Sequence, residues 1–233
     1  MLGLGSGVVV DSRADEEWEE CLAKGAFVNA GTHQFDLIET MAFDPHDGIP
    51  DLERHLVRLK ESAEQLGFSF DRHNARNDLQ AATFRFREPK KIRLRVSPKG
   101  ANAIEARDLP ELVDEPVSVA VAPLPLPPSD SRLRFKTSDR LVFDEARRKA
   151  GTFEVIFEDK DGFLTQGSFT NIFVKRERVF LTPSLRRPVM PGVLRARLID
   201  EGRAREADLR REDLAGGFYI GNAIRGLIEA RLA

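Results

Sequence analysis

The chain has 233 residues, 41% of them hydrophobic, a length that allows one large domain or two small ones around a buried core. Its 36 lysines and arginines nearly balance 38 acidic residues, so the net charge favours neither nucleic acid nor a membrane surface, and we expect a small-molecule ligand. The single cysteine, Cys21, excludes an internal disulfide framework and a multi-cysteine zinc site. The longest apolar runs fall short of the roughly 20 residues of a membrane helix, and the N-terminus lacks a basic signal-peptide region. Together these features predict a cytoplasmic globular protein.

Two periodic segments come first in the chain. Apolar residues recur every three or four positions from Leu52 to Leu66, which predicts an amphipathic helix that begins at Pro50 and Asp51 and ends at Gly67. Residues 90–97 alternate between apolar and polar side chains, which is the period of a half-buried strand.

The rest of the chain is richer in strands than in helices. A second helix is predicted from Pro191 to Ile199, because proline is favoured in the first turn of a helix. A turn is predicted at Asp161-Gly162. Strands are predicted at residues 117–122, 153–158, 169–174, 179–183 and 218–220.

The domain organisation follows from a proline-rich segment, residues 123–130, which cannot continue a sheet or start a helix. We interpret it as a linker between a small N-terminal α/β domain, residues 27–122, and a larger strand-rich C-terminal domain, residues 131–233. Residues 1–26 are treated separately below. The predicted fold class is therefore α/β (α+β), with two domains and a ligand cleft between them.

Four features are candidates for chemistry. Lys136 follows the linker, where desolvation would lower its pKa towards the free amine needed for Schiff-base formation, although a surface lysine is the more common case. His55 and Arg58 share one helix face, where the arginine could bind a phosphate or simply be solvated. The helix start at 190–194 and the loop at 221–226 could bind an anion through backbone amides. No metal-ligand spacing, P-loop, GxSxG or GxGxxG motif is present.

Six segments, taken in order, resemble the fold-type IV pyridoxal-phosphate enzymes, the class IV aminotransferase family. They are FDLIETM (35–41), HLVRLKESAEQLGF (55–68), RFKTSDR (134–140), GFLTQGSFTNIFV (162–174), LTPSLRRPVMPGVLR (181–195) and GNAIRG (221–226). The resemblance covers residues 27–233. It implies a D-amino-acid aminotransferase-like fold, pyridoxal 5'-phosphate as cofactor, and a homodimer with sites near the interface.

The resemblance also implies roles for individual residues. Lys136 matches the lysine that forms the Schiff base, and Arg58 matches the phosphate-binding arginine. The remaining phosphate contacts would come from the amides of Val193 and Leu194 at the helix start and from Asn222 and Ala223 in the second loop.

Gln166 departs from the family pattern, which is Thr-Glu-Gly with the glutamate facing the pyridine nitrogen. The negative charge of that glutamate keeps the ring nitrogen protonated and the ring strongly electron-withdrawing. A neutral amide cannot do so electrostatically, although it can still donate a hydrogen bond to an unprotonated nitrogen. We therefore expect cofactor binding with weaker carbanion stabilisation.

Within the family, the motifs LIETM, HLVRL, KTSDR and GNAIRG look most like those of aminodeoxychorismate lyases. Residues 1–26 resemble the C-terminal end of chorismate-binding synthases, which make the substrate of these lyases. The chain thus resembles the C-terminal part of an aminodeoxychorismate synthase/lyase fusion. The resemblance also implies association with such a synthase or descent from one.

The reaction implied is conversion of 4-amino-4-deoxychorismate to 4-aminobenzoate and pyruvate, a step of folate biosynthesis. Since the substrate is a dicarboxylate, arginines should face the cleft. Arg225, beside the second loop, and Arg93 and Arg95, on one face of a strand, are the candidates, with solvent-facing charges as the alternative. Two other functions stay open: a branched-chain or D-amino-acid-type aminotransferase, and a catalytically idle module with a structural role.

Overall fold

Two sheets and four α-helices are the main elements of residues 35–233, the part of the chain that the computed structural model describes. The helices are α1 (Leu52–Leu66), α2 (Arg72–Thr83), α3 (Leu141–Ala150) and α4 (Val193–Asp200). The strands are β1 (Leu37–Phe43), β2 (Lys90–Val96), β3 (Asn102–Asp108), β4 (Val117–Pro123), β5 (Glu154–Glu158), β6 (Leu164–Gly167), β7 (Asn171–Arg176), β8 (Val179–Pro183), β9 (Ala204–Ala207), β10 (Phe218–Asn222) and β11 (Gly226–Leu232). The predicted mixed α/β (α+β) class is confirmed.

The smaller sheet is antiparallel, with strand order β1-β2-β3. Its apolar face packs against α1 and α2, because Leu56 and Leu59 of α1 lie in one buried cluster with Ile92 and Leu94 of β2. Strand side chains alternate between the two faces of a sheet. Arg93, which lies between Ile92 and Leu94, therefore points to the opposite face. The alternation predicted for residues 90–97 is therefore confirmed.

Helix α1 also agrees with the sequence pattern at both ends. It runs from Leu52 to Leu66 and ends at Gly67, whose φ of 72° is a left-handed conformation that glycine adopts without steric cost. The buried stripe places His55 on the covered side of the helix. The helix therefore presents a polar residue, as well as leucines, to β1.

The larger sheet has the strand order β6-β5-β4-β11-β10-β7-β8-β9. Strand β4 pairs in parallel with both β5 and β11, so residues 117–122 belong to this sheet, although the sequence analysis grouped them with the N-terminal domain. Leu124 and Leu126, in the proline-rich segment, pack on the cluster around Phe143 and Phe157. The segment thus lies on the large sheet, and the proposed domain division stays a prediction.

Several elements were not predicted: β1, β3, β6, β9, β11, α2 and α3. The strand predicted at 218–220 is β10, and β11 follows it as its antiparallel partner. The prediction for residues 1–26 lies outside the described residues. Within residues 35–233, no helix combines the length and apolar character needed to cross a bilayer.

Candidate active site

A cavity of about 380 Å³ opens where β1, α1 and β2 meet the segment after the prolines and the loops of the larger sheet. Seven of the residues to which the sequence analysis assigned a binding or catalytic role line it: Arg58, Arg93, Lys136, Gln166, Val193, Asn222 and Ala223. The chain therefore brings together residues that are up to 165 positions apart, from Arg58 to Ala223. A cavity of this size fits a small molecule.

Lys136 is held in the cavity wall by its own backbone. The Lys136 carbonyl accepts a hydrogen bond of 2.9 Å from the N–H of Ile38, and the Ser138 N–H donates to the Asp36 carbonyl at 2.8 Å. This short pairing fixes the lysine segment to the start of β1. Burial lowers the pKa of Lys136 from 10.5 to about 7, aided by the positive charge of Arg58 and opposed by Glu39. A large share of the amine is therefore unprotonated, and nucleophilic, near neutral pH.

A buried charge cluster of Glu39, His55 and Arg58 lies beside this lysine. Arg58 donates to both carboxylate oxygens of Glu39, from Nε at 2.8 Å and Nη2 at 2.6 Å, and Nη1 donates to the Pro191 carbonyl at 3.0 Å. Burial alone would raise the pKa of Glu39, but the charge of Arg58 and the hydrogen bonds from Arg58 and His55 hold it well below its usual range. Arg58 thereby joins α1 to the loop that precedes α4.

His55 completes this cluster with an unsatisfied atom. Its Nδ1 lies 2.7 Å from Glu39 Oε2, and burial lowers its pKa, so the ring is neutral with the proton on Nδ1, towards the carboxylate. Its Nε2 is buried and has no hydrogen-bond partner in the described part of the chain, and the residue lines the cavity. The unprotonated Nε2 is thus an acceptor available to a ligand.

Gln166 is held as an amide by two backbone groups. Its Nε2 donates to the Leu133 carbonyl at 3.0 Å, and its Oε1 accepts from the Met190 N–H at 2.9 Å. One partner can only accept and the other can only donate, so the orientation of the amide is unambiguous. A carboxylate at position 166 would face the Leu133 carbonyl with like partial charge. The second Nε2–H remains to donate towards a ligand.

Two backbone segments in the cavity wall can bind an anion. Gly192 is the N-cap of α4, and the first amides of the helix, from Val193 onwards, have no acceptor within the helix. In the second segment, Asn222 Oδ1 accepts from the N–H groups of Ile224 and Arg225, both at 3.0 Å, which closes a tight turn around Ala223.

Glycines allow these two segments to approach each other and β7. A Cβ on Gly221 would lie 2.8 Å from Leu194 Cδ2 and 2.6 Å from the Gly226 carbonyl. A Cβ on Gly192 would collide with Asn171 Oδ1. The close packing of α4 against β10 and β7 therefore requires glycine at both positions. It also explains why the Leu194 side chain, although adjacent to Val193, is buried in the core rather than in the cavity wall.

A buried carboxylate, Glu154, shapes the turn between β6 and β7. It accepts from the hydroxyls of Ser168 and Thr170, at 2.5 and 2.8 Å, and from the backbone N–H groups of Val155, Ser168 and Phe169. Burial nevertheless raises its pKa. The five hydrogen bonds fix the turn that carries Gln166 and Thr170 into the cavity.

Two predicted arginines do not line the cavity. Arg95 is half-exposed and pairs with Asp36 at 2.6 Å, and Arg225 donates to the Glu111 carbonyl at 2.8 Å. In contrast, Arg140 lines the cavity although the sequence analysis did not select it. Its guanidinium donates to the Ser168 carbonyl at 2.5 Å and stacks on Phe143, 4.5 Å from the ring centroid.

The amino-transferase class IV family model matches residues 36–232, nearly the whole described chain. The chain belongs to the class IV aminotransferase family. This confirms the expected kind of enzyme and the expected cofactor class, pyridoxal 5'-phosphate.

Both activities expected within this family appear in the names of similar proteins. A solved structure named "Putative amino-acid aminotransferase" from Mesorhizobium loti is 35% identical, covers 85% of this chain and 100% of its own, and superposes with a TM-score of 0.79. Another, named "Putative 4-amino-4-deoxychorismate lyase", is 26% identical, covers 89% of this chain and 87% of its own, and has a TM-score of 0.73. A Schizosaccharomyces pombe protein named "Putative aminodeoxychorismate lyase" is 22% identical over 79% of this chain and 83% of its own. The predicted fold is thus confirmed, whereas the homodimer, the synthase fusion and the cytoplasmic location stay predictions.

The cavity fits the cofactor of this family. It offers an amine of lowered pKa at Lys136, a guanidinium at Arg58, helix-start amides from Val193 and a closed turn around Ala223. The buried acceptor His55 Nε2 is the one polar atom of the cluster for which the described residues supply no partner. The amine suits the aldehyde of pyridoxal phosphate, and the guanidinium and backbone amides suit its phosphate.

Proposed function

We propose that this protein is a pyridoxal-phosphate-dependent 4-amino-4-deoxychorismate lyase, which releases 4-aminobenzoate and pyruvate. The observation that carries the choice of a lyase is the neutral amide of Gln166, which Leu133 and Met190 hold in the cavity wall. An elimination that forms an aromatic ring supplies much of its own driving force. It can therefore proceed with a cofactor ring that withdraws electrons less strongly than a transamination requires.

Lys136, Arg58, Val193, Asn222 and Ala223 would hold the cofactor. Lys136 would bind its aldehyde carbon, and the other four positions would bind its phosphate through charge and backbone amides. When bound, pyridoxal phosphate links to the amino group of the substrate and makes the neighbouring C–H bond acidic. Gln166 would donate its second Nε2–H to the unprotonated ring nitrogen.

Lys136 then acts as the general base and acid. Because its pKa is about 7, the amine can take the proton from C4 of the substrate ring near neutral pH. The C–O bond to the enolpyruvyl group breaks as the ring becomes aromatic, and the electron pair leaves with the enolpyruvate oxygen. The same ammonium group can return the proton to the leaving enolpyruvate, which tautomerises to pyruvate.

The test is incubation of the cofactor-loaded protein with 4-amino-4-deoxychorismate, with 4-aminobenzoate followed by fluorescence and pyruvate by a coupled dehydrogenase. We expect the two products in equal amounts, and none with Lys136→Ala. Formation of neither product by a correctly loaded protein would contradict the proposal.

An amino-acid aminotransferase is the second candidate, favoured by the 35% identity to the Mesorhizobium loti protein. It predicts that 2-oxoglutarate accepts an amino group from the loaded protein. Glutamate formed without pyruvate release from aminodeoxychorismate would replace the lyase proposal with this one.

A further inference from the structure

The cavity carries more positive charge than its own carboxylates neutralise. Four cationic side chains line it: Arg58, Arg93, Lys136 and Arg140. Arg58 is neutralised by Glu39 through two hydrogen bonds, and a large share of Lys136 is uncharged near neutral pH because burial lowers its pKa to about 7. The two other arginines, Arg93 and Arg140, have no such carboxylate partner among residues 35–233.

The Arg93 side chain makes no hydrogen bond or ion pair with any residue between 35 and 233, although it lines the cavity from the centre of β2. Its cross-strand neighbours are Thr40 on β1, which also lines the cavity, and Glu105 on β3, whose carboxylate forms its ion pair with Arg107 instead. Arg95, two residues further along the same strand face, pairs with Asp36. Arg93 and Arg95 therefore lie on the same face of β2, but only Arg95 forms an ion pair with a carboxylate among the described residues.

Arg140 lies at the start of α3, on the segment that carries Lys136. It donates to the Ser168 carbonyl and stacks on Phe143, but no carboxylate of the described residues lies within ion-pair distance of it. The carboxylate one turn further along α3, Asp144, lies 3.5 Å from Arg147 and forms its ion pair there. Burial lowers the pKa of Arg140, an effect that Asp144 and Glu154 oppose and that Arg93 and Arg58 reinforce.

The part-buried guanidinium of Arg140 has lost water without gaining a carboxylate, and this cost is recovered when an anionic ligand pairs with it. Arg93 is exposed and unpaired in the wall of the same cavity, so a ligand carboxylate can reach it. A planar guanidinium also suits a carboxylate, because it can donate two parallel hydrogen bonds. Two such groups in one small cavity, in addition to the phosphate-binding elements, fit a ligand with two carboxylates.

We propose that Arg140 and Arg93 bind the two carboxylates of a dicarboxylate substrate, one arginine to each, and so determine the substrate class of this enzyme. Arg140 is the residue that this assignment adds. The proposal rests on the proposed lyase function for the identity of the substrate, but not for the binding site itself. A dicarboxylate amino acid or oxo acid would use the same pair of arginines in a transaminase.

The experiment measures binding of chorismate to the cofactor-loaded protein by titration calorimetry. Chorismate carries both carboxylates of the proposed substrate but a hydroxyl in place of its amine, so it binds without reacting with the cofactor. We expect Arg140→Gln and Arg93→Gln each to raise its Kd by about 10- to 100-fold, the range for loss of a charge-assisted hydrogen bond. Arg140→Lys, which keeps the charge, should recover part of the affinity.

Shikimate, which keeps the ring carboxylate alone, tells the two arginines apart. We expect one of the two variants to bind shikimate as tightly as the natural protein does, because that variant has lost the partner of the missing carboxylate. Arg148→Gln, an exposed position on the same helix, is the charge-matched control and should leave both Kd values unchanged. The cofactor absorption spectrum and the thermal midpoint of each variant report whether the Ser168 turn has been disturbed.

Unchanged chorismate affinity in Arg140→Gln would overturn the proposal. So would an equal loss of affinity in Arg140→Lys and Arg140→Gln with an altered cofactor spectrum, since that pattern indicates a purely structural role. The lyase proposal fails separately, if the natural protein binds chorismate in an Arg140-dependent way but does not convert aminodeoxychorismate. Binding of 2-oxoglutarate with the same dependence would then assign the pair to a transaminase substrate.

Discussion

The candidate site contains two groups of charged residues near Lys136, and these two groups are organised in different ways. In the paired cluster, Glu39, His55 and Arg58, each charge is satisfied within the protein before any ligand binds. In the arginine pair, Arg93 and Arg140, neither guanidinium has a carboxylate partner among residues 35–233. The paired cluster suits a cofactor that stays bound through many turnovers. The arginine pair suits a substrate that brings its own negative charge and takes it away when the product leaves.

The largest expected effect comes from Lys136, which senses the charges of both groups. Lys136→Ala should lower turnover by at least about 10²- to 10⁴-fold, the contribution of a single general acid–base group. Measurement of pyruvate release at saturating substrate checks this, with Lys149→Ala, on the exposed face of α3, as the matched control. Retention of turnover in Lys136→Ala would assign the base to another residue.

The paired cluster should be important for folding as well as for the cofactor. Glu39→Gln leaves Arg58 buried without its counter-charge, so we expect a loss of about 3–5 kcal/mol in the free energy of unfolding. The exposed pair Lys60–Glu64 provides the control, since Glu64→Gln should cost no more than about 1 kcal/mol.

This contribution should depend on pH in one direction. The folded-state pKa of Glu39 lies below its ordinary value of 4.5, so its stabilisation is present above that pH and is lost as the pH falls. The difference between the natural protein and Glu39→Gln, measured by urea unfolding, should therefore shrink in acid. A constant difference from neutral pH into acid would show that the carboxylate charge is not what stabilises the cluster.

Arg58 distinguishes cofactor affinity from substrate affinity. Arg58→Lys keeps the charge but loses the two-fold hydrogen bonding to Glu39, and we expect cofactor affinity to fall by about 1.5–3 kcal/mol. Chorismate affinity of the protein, measured with cofactor in excess, should change much less than in Arg140→Gln. Equal losses of both affinities would mean that the two groups of charges do not serve separate ligands.

A smaller effect, on the ratio of two activities, is expected at Gln166. Gln166→Glu should raise transamination more than lyase turnover, because a carboxylate favours a protonated ring nitrogen. The new carboxylate would face the Leu133 carbonyl, so we also expect a stability loss of about 1–3 kcal/mol. Gln166→Met, which removes the hydrogen bonds without adding charge, is the control and should not raise the ratio. An unchanged ratio in Gln166→Glu would mean that this side chain does not face the ring nitrogen.

The smallest effect is expected at Arg95, which sharpens the comparison between paired and unpaired arginines. Since Arg95 is half-exposed and already paired with Asp36, Arg95→Gln should change KM less than about two-fold, as for other exposed ion pairs. Arg93→Gln, on the same strand face, should raise KM by about 10-fold or more. If Arg95→Gln raised KM more than Arg93→Gln, the substrate carboxylate would bind at Arg95 and not at Arg93.

The parts of the fold that the sequence predicted are those with strong periodicity. Helix α1 and strand β2 each bury one face, so their patterns are regular. Strand β1 was missed because Leu37, Ile38 and Glu39 are all buried, which removes the alternation. Helix α3 was missed because Phe143 is its one fully buried side chain, too little for a stripe.

The site shows the same limit. Lys136, Arg58 and Gln166 were found because each lies in a short motif that resembles a known family. Arg140 lies in such a motif too, but its place in the cavity depends on contact with Ser168, 28 residues away. Arg93 and Arg95 likewise differ because Arg95 pairs with Asp36, which lies 59 residues away in the sequence. Local patterns do not encode these long-range pairings.

The most direct test of the account is chemical trapping of the cofactor on the protein. Borohydride reduction of the loaded protein, followed by proteolysis and mass spectrometry, should place a single pyridoxyl group on the peptide that contains Lys136. A pyridoxyl group on any other lysine, or none on a protein that has bound the cofactor, would contradict the assignment of Lys136 as the residue on which the active site is built.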